Sequence, residues 1–116
     1  MKYMFLIYTP ESNETQMTPA EQEAMLAEYF AFTQEAMAQN IFVAGDELKP
    51  TTAATTLRLR GNQFATTDGP FAETKEHLGG FYILECQNME EAVGWAAKIP
   101  AAQHGSIEVR PIVNFG

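Results

Sequence analysis

Cysteine is almost missing from this sequence: Cys86 is the one thiol in 116 residues. It cannot pair within the chain and no zinc-ligand spacing surrounds it, so neither a disulfide framework nor a structural metal is expected. A reducing cytoplasm is the expected compartment. Basic residues are scarce as well, with 7 Lys and Arg against 15 Asp and Glu and a formal net charge of −8. That balance repels nucleic-acid phosphates and anionic membrane surfaces, so neither is an expected partner. Long apolar runs are missing too: "MKYMFLIYTPE" is too short for a signal-peptide core with its cleavage region or for a membrane span, and reads as a first strand. There is no repeat, low-complexity tract or dividing linker, which predicts a single domain over residues 1–116. At this length folding removes roughly two thirds of the unfolded surface from water, enough for one core. No glycine-rich nucleotide fingerprint occurs, since Gly79-Gly80 opens a strand rather than a helix, and no cofactor is expected.

What is present is a clear order of elements. Lys2–Tyr8 alternates Tyr3, Phe5 and Ile7 against Met4, Leu6 and Tyr8, a strand apolar on both faces. Thr18-Pro19-Ala20-Glu21 is a capping box with proline at the first helical position, and predicts a helix over Pro19–Gln39 that stops at Asn40. Leu26, Tyr29, Phe30, Thr33 and Met37 give that helix an apolar stripe. Ile41–Gly45 reads as a short buried strand ended by Gly45-Asp46. Thr55–Thr67 reads as a hairpin around Gly61-Asn62, with Leu57 and Leu59 opposite Arg58 and Arg60. "GGFYILEC" is another strand apolar on both faces. Asn88 with Glu91 makes a second capping box, and Ala92, Val93, Trp95, Ala96 and Ile99 form a helical stripe that Pro100 ends. Ser106–Val113 alternates as a last strand, where Pro111 implies a sheet edge or the end of pairing. The order predicts an α+β, ferredoxin-like βαββαβ protomer with an inserted β-hairpin. Two helices cover one face of a four-stranded sheet, and the other apolar face calls for a second copy, so a homodimer with facing sheets is expected.

The stretch "DGPFAETKEHLGGFYILE" resembles the signature of the DGPF-domain branch of the YCII-related family, and "MKYMFLIY", "ATTLRLR" and "GSIEVRPI" extend the resemblance over nearly the whole chain. The resemblance implies a dimeric α+β barrel. In the wider family a histidine and aspartate pair has been proposed as the catalytic centre, and at least one member is a dehydrochlorinase acting on a hydroxylated aromatic ring. The histidine of those relatives lies in the first helix, where this chain has none, so the pair does not carry over. The DGPF branch has no established reaction; its members often occur beside or fused to sigma-factor-like regulators.

The candidate site residues gather in the loop that carries this signature. Asp68 in Asp68-Gly69-Pro70 is either a turn residue or a carboxylate at a cleft mouth, acting as base or ligand-orienting group. Glu73, Lys75 and Glu76 are charges the fold alone does not require; Lys75 is within local reach of either glutamate, and a buried pair would poise one carboxylate for proton transfer. The expected catalytic residues are Asp68 and Glu76, with Glu73, Lys75, Arg58, Arg110, Tyr8 and His77 as binding residues. Glu73-x-x-Glu76-His77 lacks the second histidine of a zinc helix, so no metal is expected. Arg58 and Arg110 sit on the polar sides of apolar strands, with Glu108 the plain partner for Arg110. Tyr8 and Tyr82 read either as core residues, the commoner role for tyrosines with apolar neighbours, or as directing hydroxyls at one space. Cys86 reads as a buried, inert thiol and His104 as a loop residue. Three readings follow: a cofactor-independent enzyme moving a proton on a small cyclic or aromatic substrate, a non-catalytic module that binds or senses a small molecule, or a loop that is purely structural, closing the hairpin onto the sheet or bridging protomers.

Overall fold

The computed structural model describes residues 1–11, 16–72 and 74–116. Its elements run β1 (Lys2–Thr9), α1 (Pro19–Ala38), β2 (Phe42–Glu47), β3 (Thr55–Arg60), β4 (Gln63–Asp68), β5 (His77–Glu85), α2 (Met89–Ala96) and β6 (Ser106–Pro111), with 3₁₀ turns at Thr51–Ala53 and Pro100–Gln103. Four strands form an antiparallel sheet in the order β2-β5-β1-β6, and β3 pairs only with β4. This is the α+β, ferredoxin-like arrangement with an inserted hairpin.

Register decides which side chains meet the helices. β1 and β5 pair Tyr3 with Leu84 and Phe5 with Tyr82, while β6 brings Val109 opposite Phe5. These residues form the core with Phe32 and Ala36 of α1 and Ala92 and Ala96 of α2. Phe32 packs on both Tyr82, at 4.8 Å between ring centroids, and Trp95, at 5.9 Å in an edge-on arrangement. Tilted and edge-on contacts suit the ring quadrupoles, so one phenyl ties α1 to sheet and second helix. The opposite face of the sheet carries Met4, Leu6, Phe81 and Ile83, half-buried by their neighbours but with no helix of the described residues over them.

The caps behave as the sequence says, with one reduction. Thr18 Oγ1 accepts the Glu21 N–H and Glu21 returns a bond to the Thr18 N–H, whereas Asn88 accepts from Glu91 without the reciprocal bond. Asn40 takes a φ of 60° after α1, the left-handed stop that asparagine tolerates.

Several expectations shift. The stripe assigned to α1 is only half inward: Tyr29 and Thr33 face the sheet, but Leu26, Phe30 and Met37 are more than half exposed, and Phe32 and Ala36 hold the buried positions. Apolar residues surround this helix, so periodicity alone cannot choose its inner face. β2 does not end at Gly45-Asp46 but continues to Glu47, because β5 offers it partners as far as Gly80. β5 begins at His77, two residues before the double glycine, and Gly79 falls where the β1–β5 register slips. A slip of this kind is a β-bulge, which glycine accommodates readily. β6 stops at Pro111 on the sheet edge, two residues short of the expected end.

The hairpin turns on Gly61 and Asn62, both at positive φ (52° and 67°), as a two-residue loop requires. It stands away from the sheet and is exposed along nearly its whole length, with Leu57, Leu59 and Phe64 on one face and Arg58 and Arg60 on the other. The Cα radius of gyration is accordingly 16.2 Å, against about 13 Å for a compact domain of this length. No helix of the described residues is long and apolar enough to cross a membrane.

Candidate functional site

A cavity of about 290 Å³ lies between α1 and the sheet. Glycine makes room for it. A Cβ on Gly45 would sit 2.5 Å from the Tyr82 ring, so the ring lies flush on the β2 backbone. A Cβ on Gly80 would meet the Asp46 carbonyl at 2.9 Å, so a bare strand there lets β2 close on β5. Met25, Leu26 and Tyr29 form the helical wall and Ile7, Phe42 and Tyr82 the sheet wall, with Met17 at the entrance to α1. Predominantly apolar walls with few placed polar groups are the usual make-up of a small-molecule pocket.

The polar groups are specific. Thr33 Oγ1 donates to the Tyr29 carbonyl at 3.0 Å and lies 3.1 Å from the Tyr82 hydroxyl. A hydroxyl has one proton, so with Thr33 donating to Tyr29 it is Tyr82 that donates to Thr33. The Tyr82 oxygen keeps acceptor capacity toward the cavity. Burial pushes the Tyr82 phenol above its ordinary value, the Thr33 bond opposing this less strongly, so it stays neutral at physiological pH. Glu47, His104 and Thr9 also border the space. Asp46 does too, but pairs with Phe81 and by strand alternation belongs to the outer face.

The residues expected from sequence lie elsewhere, and none of those described lines this cavity. Asp68 is exposed at the end of β4, where it faces Thr55 in the hairpin ladder. The turn after it is built for itself: the Gly69 N–H donates to the Ala54 carbonyl at 2.7 Å, and Thr56 Oγ1 donates to the Gly69 carbonyl at 2.9 Å. Gly69 has a φ of 106°, which explains glycine there. Glu76 accepts from Ser106 Oγ at 2.8 Å, joining the loop to β6, and Ser106 sits opposite Tyr8 in the sheet. Lys75 is exposed and makes no ion pair with a described residue. Glu73 lies outside the described residues. His77 opens β5 opposite Thr9 and contributes to holding the Glu11 carboxyl below the usual range, an effect due first to the Thr51 N–H that Glu11 accepts.

The two arginines are not neighbours in one site. Arg110 is held by Glu108 on its own strand, the intrastrand pairing preferred from sequence. Arg58 is on the projecting hairpin, with its guanidinium 5.1 Å from the centre of the Phe71 ring. Tyr8 and Tyr82 do not share a space either. The Phe5–Tyr82 pairing places Tyr82 with the odd-numbered, helix-facing side chains of β1, and Tyr8 belongs to the other face. Cys86 is buried, and desolvation with Glu91 beside it raises its thiol, consistent with inert packing. No metal-binding cluster of His, Cys, Asp and Glu forms among the described residues.

The sequence profile of the YCII-related domain matches residues 1–116. The chain belongs to the YCII-related family. An uncharacterised protein of Rhizobium meliloti (strain 1021) is 37% identical over 117 residues, covering 99% of this chain and 94% of that protein. That relative is itself uncharacterised, so the comparison brings no reaction to this YCII-related chain. In this YCII-related chain the sequence singles out Tyr82 but not its pairing with Thr33, which only the packing of α1 on β5 creates. The available signal was Gly45 and Gly80, small residues on strands otherwise lined with large side chains, where a facing helix leaves space.

Proposed function

We propose that this protein binds a small, largely apolar molecule of aromatic size in the cavity beneath α1, as a binding or sensing module. The observation that carries the reading is the 290 Å³ space whose apolar walls converge on the Tyr82–Thr33 hydroxyl pair. No nucleophile with an adjacent base lines it among the described residues, so binding is better supported than turnover. The resemblance to the DGPF branch, with its frequent regulator neighbours, suits sensing. The free, buried Cys86 suits a cytoplasmic protein. A thermal-shift survey of small aromatics, each hit then assayed for product, tests the proposal. Stabilisation without conversion is expected; a hit that is turned over makes the protein an enzyme.

One observation favours a second reading, in which Glu76 transfers a proton. Its carboxylate is positioned by Ser106 at the rim of the uncovered sheet face, near Tyr8, with Asp68, Lys75 and His77 on or flanking the same loop. That face carries Met4, Leu6, Phe81 and Ile83 without a cover, so a homodimer with facing sheets would enclose it. Sedimentation equilibrium at micromolar concentration is expected to give twice the 12.9 kDa chain mass; a monomer would remove both the enclosure and this reading.

A further inference from the structure

We infer that the cavity beneath α1 selects ligands by charge, taking an apolar body that bears a cationic amine and rejecting the matching carboxylate. The inference rests on the binding reading above and adds the chemical class of the ligand. Three features of the lining converge. First, Glu47 pairs with Gly80 and so belongs to the helix-facing side of β2, where it borders the cavity. Among the described residues no lysine or arginine lines the cavity to offset it. Second, the hydroxyl of Tyr82, the most buried hydroxyl-bearing residue of the lining at 8% exposed, favours a donor. With its proton on Thr33, its oxygen is left to accept from a ligand. An ammonium supplies donors and no acceptor, whereas a carboxylate there meets lone pairs unless the Tyr82 proton turns away from Thr33 and gives up that bond. Third, the rings of Tyr29, Phe42 and Tyr82 are part of the lining, and aromatic rings attract cations.

Competing charges are few. His104, which also borders the cavity, is exposed, and Lys98 is engaged with Glu35 and the Trp95 ring at the far end of α1. The net charge of −8 adds a long-range field of the same sign preference.

Three probes that share a phenylethyl body separate this inference from the one beneath it: 2-phenylethylamine, 2-phenylethanol and 3-phenylpropionate, titrated at pH 7 and followed by NMR. The amine is expected to bind roughly threefold more tightly than the alcohol, the scale of one solvent-accessible charge contact, and about tenfold more tightly than the carboxylate. Glu47→Gln, at an exposed position, is expected to erase most of the advantage of amine over alcohol, and Glu47→Lys to turn the order toward the carboxylate. Alcohol or carboxylate binding as well as the amine, or an amine advantage unchanged in Glu47→Gln, overturns the charge selection while leaving the cavity a binding site. Failure of all three probes to bind overturns both.

Discussion

Phe5→Ala is expected to lower the free energy of unfolding by about 3–5 kcal/mol, the usual cost of emptying a buried phenylalanine site. Phe5 is fully buried at the centre of β1, opposite Tyr82 on one neighbouring strand and Val109 on the other. A cavity left there is bounded by strands on both sides and by the ring cluster of Phe32 and Tyr82, which cannot collapse without losing its own contacts. Chemical denaturation gives the number directly. A loss under about 1 kcal/mol would mean that the site relaxes freely, and that the rigidity ascribed to the Tyr82 surroundings is absent.

Gly105→Ala is the second large effect, and its cause is space rather than conformation. Gly105 lies between the 3₁₀ turn and β6, where an added Cβ would fall 2.2 Å from the Tyr8 carbonyl oxygen and 3.3 Å from that of Ala101. Its own N–H donates to the Ala101 carbonyl at 2.7 Å, so the segment is already tied down. Main-chain atoms cannot rotate aside as side chains do, and relief requires β6 to move off β1. A loss of about 1–3 kcal/mol or more is expected, as for other overpacked sites. Gly94→Ala is the control: the glycine lies inside α2 with nothing within 4 Å of an added Cβ, and the change should stabilise by about 0.5–1 kcal/mol. Melting curves that move the two variants in the same direction would contradict the placement of the segment around Gly105.

Much of this architecture was legible because the sequence is locally explicit. The Thr18–Glu21 box, the Gly61-Asn62 turn and the alternation in β1 and β5 each specify geometry within a few residues. The errors come from information that is not local. The inner face of α1 could not be chosen because Leu26, Phe30 and Met37 are as apolar as the residues they displace. Sequence alone does not separate Tyr8 from Tyr82, because alternation gives the face of a residue only relative to its own strand. The inter-strand register, set here by the Phe5–Tyr82 pairing and the slip at Gly79, settles the rest.

The candidate site was read from charge, and charge drew attention to the loop between Asp68 and His77. The structure spreads those residues over the open end of the hairpin, the rim of the outer face and the start of β5. The cavity instead depends on what glycines omit and on a hydroxyl pair 49 residues apart in sequence, Thr33 and Tyr82. Neither member is unusual alone. Only the packing of α1 across β5 makes them a site.

Entry of a small apolar molecule into the space beneath α1 can be read directly at the methionines. Of the six in the chain, Met17 and Met25 line the cavity; Met4 lies on the uncovered face of the sheet, and Met1, Met37 and Met89 are exposed elsewhere. With ¹³C-labelled methionine methyl groups, titration with a small aromatic ligand is expected to shift the Met17 and Met25 signals together and saturably, and to leave Met4 and Met37 unmoved. Saturable shifts confined to Met4, or none at any methionine across the ligands tried, would contradict it.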